Sequence, residues 1–344
     1  MIRPPRLHPG SRIAVLAPSG GLAARFPAVY RRGLTNLRKV FGFEITEMPT
    51  AAMTGEELHD APQRRVEDLH AAFRDSAVDG ILTTIGGDDS MRLLPLLDPT
   101  VALEHPKPVM GGSDATTFLS HFARHGLVTF YGPSVMAGFA QTANLPDAFT
   151  DHVKTFLFDE WSQFEYAAYT RFTHGYRDWS NPAAAAECEP FTENPGRHVL
   201  QGTKTVAGRL WGGCLEVLEF LKGTDYWPEP GFWDDTILFL ETSEEKPPPR
   251  WVGYFLRNYG LQGVLGRIRA LLIGRAKDYT AEENEKLRRI VKTVVAEEFG
   301  EPDLPVIMDM DFGHTDPKHI LPLGARAEVD PRGRTVRLLE SPFA

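Results

Sequence analysis

The residues best suited to chemistry fall in a few short stretches. The sharpest is Val109-Met110-Gly111-Gly112-Ser113-Asp114-Ala115, where a serine stands between an apolar segment and a helical pattern. Small neighbours suit the strained turn that presents a nucleophilic hydroxyl. The N–H groups of the helix that follows would lie where an oxyanion develops during acyl transfer. The same stretch also reads as a serine that caps the helix, with Asp114 complementing the macrodipole. Local sequence does not separate the two. Gly86-Gly87-Asp88-Asp89-Ser90 is a second turn whose backbone could approach a ligand closely. Read alone, it is an ordinary strand-to-helix turn with an Asp or Ser cap.

Glu241 follows the apolar run Thr236–Leu240, a position from which a carboxylate can orient a histidine. Its acidic neighbours Glu244 and Glu245 equally support a plain loop acid. His314, in Asp311-Phe312-Gly313-His314-Thr315-Asp316-Pro317, has the freedom of a glycine-flanked turn and an ordinary pKa that suits a general base. Asp309, Asp311, His314, Asp316 and His319 offer a rival metal reading, but no ligand spacing or second cluster supports it. His121 and His125 lie on a helical pattern and read as structural. Among Trp179, Trp211, Tyr226, Trp227 and Trp233, only Trp179 sits in a polar loop and is a candidate for stacking on a substrate.

The elements that must position these groups alternate. Ile13–Ala17, Gly80–Ile85, Pro108–Gly111 and Leu127–Tyr131 read as buried strands. Between them, Ala28–Phe41, Gln63–Ser76, Ser90–Leu97 and Ala115–Arg124 carry helical spacing. Strand, glycine turn and helix in succession predict an α/β fold, a doubly wound and mainly parallel sheet with its functional groups at the carboxyl ends of strands. From about Ser134 to Arg197 the chain becomes aromatic and polar and reads as a linker and insertion. A second domain restarts at Val206. Its strands are Thr236–Leu240, Ala270–Gly274 and Val306–Met310, with helices at Gly213–Leu221, Arg250–Tyr259 and Ala281–Glu298. Ala327–Val329 and Thr335–Leu338 flank Asp330-Pro331-Arg332-Gly333 as a terminal hairpin. The expected division is 1–165, a linker at 166–200, and 201–344.

Composition narrows the class. The 344 residues are 42% hydrophobic and 24% charged, ordinary for a folded globular chain. A net charge of −9 without a basic run argues against nucleic-acid polymers or anionic membranes as partners. Two cysteines, Cys188 and Cys214, provide no disulfide framework. No run approaches the ~18 apolar residues of a membrane span. The start of the chain lacks a secretory pattern, which predicts a cytoplasmic protein.

Several blocks in order resemble the LD-carboxypeptidase family of serine peptidases. They are SRIAVLAPSG, DGILTTIGGDDSMRLLPLLD, GGSDATTFLSHF, GLVTFYGP, GRLWGGCLEVLEFLKGT, ILFLETSEE and FGHTDPKHILPLGARAEVD. The resemblance implies a Ser-Glu-His triad at Ser113, Glu241 and His314, with oxyanion donors at the backbone N–H groups of Asp114 and Gly87. It also implies a flavodoxin-like N-terminal domain, a smaller mixed α/β C-terminal domain, a homodimer, and no metal or cofactor. Ile85-Gly86-Gly87-Asp88-Asp89-Ser90 and Gly111-Gly112-Ser113-Asp114 depart from typical members and look more like the microcin C self-immunity branch. That branch cleaves an amide between an aminoacyl group and a nucleotide and stacks tryptophan on the base, the role open to Trp179. Cys214 stands where the family often has Asn, which puts a substrate contact there in doubt. The expected partner is therefore a small aminoacyl-nucleotide or peptide-like substrate. The alternatives are a muropeptide LD-carboxypeptidase and a nucleotide-binding module without catalysis, the latter requiring Ser113 far from His314.

Overall fold

A computed structural model describes residues 1–181 and 187–344. The alanines of the expected linker at 183–186 lie outside the described residues. Arg12–Leu16, Gly80–Thr83, Val109–Gly111 and Thr129–Tyr131 form the parallel centre of the first sheet. Ile13, Val15, Ile81, Leu82 and Val109 are buried, as continuous apolar strands covered on both faces must be. Glu44–Glu47 adds a parallel edge, so the parallel strands lie in the order 2-1-3-4-5 of a flavodoxin-like sheet. This edge strand was not anticipated, because Glu-Ile-Thr-Glu is too short and polar to read as core.

The helices Pro27–Lys39 and Thr116–Arg124 face this sheet with apolar stripes. The segment Ser90–Leu96, expected as a helix, is a tighter 3₁₀ helix containing Pro95. The region expected as linker from Ser134 includes the helix Asp147–Phe158, which buries Phe149, Val153, Phe156 and Leu157.

The second sheet is mixed. Val206–Cys214, Thr236–Glu241, Ala270–Gly274 and Val306–Met310 run parallel at its centre, with antiparallel strands on both flanks. The hairpin forms as read, with Val329 opposite Val336 and Asp330 opposite Thr335. The charged helix is α-helical over Ala281–Lys292 and then widens into a π turn over Thr293–Glu298.

Two exchanges bind the halves together. Phe164–Glu165 pairs with Arg337–Leu338 in the second sheet. Leu321–Leu323 returns to pair antiparallel with Thr129–Tyr131 in the first. No helix among the described residues is long and apolar enough to cross a membrane. Both cysteines are free thiols.

Candidate active site

Ser113 occupies the left-handed region, with φ 56°, separated only by Gly112 from the strand Val109–Gly111. A side chain there costs on the order of 1–3 kcal/mol and persists only where the surroundings impose it. Here they do. The Ser113 N–H donates to the Tyr131 hydroxyl at 3.0 Å. Its carbonyl accepts from Thr116 Oγ1 at 2.7 Å, and the same hydroxyl accepts from the Cys214 N–H at 3.0 Å. Gly86 lies against the serine, since a Cβ at position 86 would stand 2.7 Å from Ser113 Cβ and 3.3 Å from Asp114 N. Only glycine fits this approach.

The Asp114 side chain is a tie inside the fold. It is buried, and its carboxylate accepts from the Ser90 N–H at 2.9 Å while Ser90 Oγ donates to the Asp114 carbonyl at 2.7 Å. Burial pushes its carboxyl pKa above the usual range. The N–H groups of Gly87 and Asp114 have no hydrogen-bond acceptor among the described residues.

Glu241 ends the strand Thr236–Glu241 and is buried. One oxygen accepts from the Tyr131 hydroxyl, and the other meets His314 Nδ1 at 2.8 Å. Burial alone would raise its pKa; the His314 charge, with hydrogen bonds from His314 and Tyr131, holds it below the ordinary value. Gly313, with φ 99°, brings the histidine loop onto this acid, where a Cβ would lie 2.5 Å from Glu241 Oε2. His314 Nε2 lies 2.9 Å from Glu244 Oε2. Burial disfavours the imidazolium, but Glu241 and then Glu244 outweigh it and raise the His314 pKa to about 10. The hydrogen bond to His314 holds Glu244 down, to about 2.

Ser113 and His314 line one cavity of about 210 Å³, together with Gly86 and Gly87. Among the described residues no hydrogen bond joins the serine to the histidine, whose Nε2 is taken by Glu244. Trp179 and Tyr176 line the same cavity, their rings 5.6 Å apart and 19° from parallel. Phe26 backs Trp179 edge-on at 5.8 Å. This aromatic wall is fixed to the histidine loop. Thr173 exchanges backbone hydrogen bonds with Asp316, and the Tyr176 hydroxyl donates to the Asp316 carboxylate.

The other aromatic residues pack elsewhere. Trp211, Trp227 and Trp233 pack on one another, and Tyr226 lies against His121. His121 is buried, which lowers its pKa to about 4. The acids of the metal reading are engaged separately, Asp309 by Arg288 and Asp311 by Arg275, each at 2.8 Å. His319 is buried, its pKa lowered to about 3 by that burial. Among the described residues no group of three His, Cys, Asp or Glu side chains could hold a metal ion. Cys214 is buried in the strand and does not line the cavity.

Sequence reasoning missed Tyr131, although it ends a strand just as Glu241 does. It also treated Glu244 only as a loop acid and passed over Lys277, which lines the cavity.

Two family models together cover more than half of the chain. Residues 13–132 match the LD-carboxypeptidase N-terminal domain and residues 207–329 the LD-carboxypeptidase C-terminal domain. A Vibrio cholerae protein that its name groups with the carboxypeptidases is 29% identical, over 96% of this chain and 95% of its own. The microcin C7 self-immunity protein MccF of Escherichia coli is 24% identical, over 90% of this chain and 87% of its own. A solved structure of MccF in complex with glutamyl sulfamoyl guanosine shares the fold, with TM-score 0.86, 22% identity and full coverage of both chains. The chain belongs to the LD-carboxypeptidase family of serine peptidases.

Proposed function

We propose that this peptidase is a microcin C immunity-like hydrolase that releases the acyl group from an aminoacyl-nucleotide or related peptidyl conjugate. Ser113 is the nucleophile, His314 the general base and Glu241 its orienting acid. One observation carries the reading: a strained serine and a histidine held by the buried Glu241 face a single cavity whose other wall is Trp179 on Tyr176. For reaction, the imidazole leaves Glu244 and turns Nε2 to Ser113 Oγ. It takes the hydroxyl proton as the oxygen attacks the carbonyl. The unengaged N–H groups of Asp114 and Gly87 receive the oxyanion. His314 then protonates the leaving nitrogen, and water, activated by the same histidine, frees the acyl group from Ser113.

Trp179 stacks on the base of the leaving nucleotide, a role supported by its backing from Phe26 and Tyr176. The division into 1–165 and 201–344, joined by 166–200, belongs to the same reading, as do a cytoplasmic location and a homodimer. The exposed stripe Trp251, Tyr254 and Leu261 on the helix Pro249–Leu261 is apolar surface available to a second copy.

Lys277 favours the muropeptide carboxypeptidase as a second reading. Its ammonium lines the cavity and makes no ion pair among the described residues, so it could take a terminal carboxylate. The deciding experiment incubates the protein with an aminoacyl sulfamoyl adenosine and, separately, with a muropeptide tetrapeptide, and weighs the products. Release of the amino acid from the first supports the proposal. Release of D-alanine from the second alone replaces it with the other reading, and turnover of neither overturns both.

A further inference from the structure

The carboxylate of Glu244 lies where the proposed reaction cannot leave it. It stands 2.9 Å from His314 Nε2, the atom that must face Ser113 when the proton moves. Once Nε2 offers a lone pair to the serine hydroxyl, a carboxylate beside it is repelled and needs another partner. His314 is the only ion-pair partner of Glu244 among the described residues. Lys318 is already held by the buried Asp316 at 3.5 Å. Lys277, the other cation on the cavity wall, lies beside Gly175; its charge helps to hold the Glu244 carboxyl down, but it makes no ion pair with Glu244 among the described residues.

The Glu244 side chain is 59% exposed, so it can swing without unpacking anything. Left unpaired, its charge would oppose the oxyanion forming at the scissile carbonyl. A cation bound between the two reverses that effect. In an aminoacyl group the α-ammonium is attached to the carbon next to that carbonyl, which places a positive charge in the cavity that Glu244 and Ser113 both line.

We propose that Glu244 determines specificity in this cavity, holding a free α-ammonium on the acyl side of the substrate beside the scissile carbonyl. The inference rests on the acyl-transfer reading above. Its test does not depend on turnover. The affinities of an alanyl sulfamoyl adenosine and its N-acetyl counterpart are measured by titration calorimetry, on Ser113→Ala and on Ser113→Ala with Glu244→Gln. The free amine should bind Ser113→Ala more tightly. Adding Glu244→Gln should weaken the free amine roughly fivefold, as for a partly exposed ion pair, and leave the acetylated compound unchanged. Glu244→Asp should retain part of the preference. Equal affinities on Ser113→Ala, or an equal change for both compounds with Glu244→Gln, would mean that Glu244 only caps His314 and would overturn the proposal. Hydrolysis of the free conjugate by the unaltered protein is followed in parallel. Its absence, with the affinity pattern intact, would count against acyl transfer alone.

Discussion

The two halves of the candidate site are built on opposite terms. On the first sheet, Ser113 is fixed: its backbone is strained, its N–H and carbonyl are both bonded, and Gly86 presses on its side chain. On the second sheet, Glu241 is equally fixed, but the groups beyond it are adjustable. His314 is held through one nitrogen by a buried acid and through the other by a mostly exposed one. The proposed nucleophile is therefore set by folding, whereas the proposed base has a choice of partners. Tyr131 joins the two halves, accepting from Ser113 N and donating to Glu241.

The contrast is broken most completely at the serine. Ser113→Ala should lower kcat/KM about 10⁴-fold or more if the hydroxyl is the nucleophile. A rate near that of the unaltered enzyme would remove Ser113 from the chemistry. Gly86→Ala should come next. The added Cβ must displace Ser113, and a misplacement of about 1 Å costs on the order of 10²-fold in rate. Thermal melting would separate this loss from simple unfolding.

Tyr131→Phe severs the link between the halves while keeping the ring. It should cost about tenfold in kcat, since one neutral and one charge-assisted hydrogen bond are lost. An unchanged kcat would mean that the two halves are positioned independently. Trp179→Ala should raise KM roughly fivefold or more for a nucleotide conjugate by removing a stacking surface, with kcat nearly unchanged.

A further effect concerns pH. The proposed acyl transfer needs neutral His314, and its pKa, raised to about 10, keeps the resting ring protonated at neutral pH. The rate should therefore climb as pH rises. Glu244→Gln removes one of the two charges that raise this pKa, so the ascending limb of kcat/KM should move down by about one pH unit. A limb that stays in place would show that Glu241 alone sets the proton affinity.

Much of this arrangement was legible in the sequence because its parts are local. Ser113, Glu241 and His314 each follow an apolar strand, and the small residues around them mark the turns. Trp179 stood out as an aromatic residue in a polar loop. What remained hidden depends on contacts distant in sequence. The pairing of Thr173 with Asp316 docks the aromatic wall on the histidine loop, and nothing near either residue announces it. Tyr131 reads as one more strand residue until the second sheet brings Glu241 to its hydroxyl. The edge strand Glu44–Glu47 has a single apolar residue, Ile45, because one side of it is open. Glu244, within Ser-Glu-Glu, has the look of a solvated loop acid, and only the fold turns it toward His314.

The chemistry proposed for this cavity depends on the strained hydroxyl of Ser113 being a nucleophile activated by His314. Reaction with a fluorophosphonate, followed by peptide mass mapping, tests it without reference to any substrate. One covalent adduct should form, on Ser113, at least ~100-fold more slowly in His314→Ala. No adduct, an adduct on another residue, or a rate indifferent to His314 would contradict it.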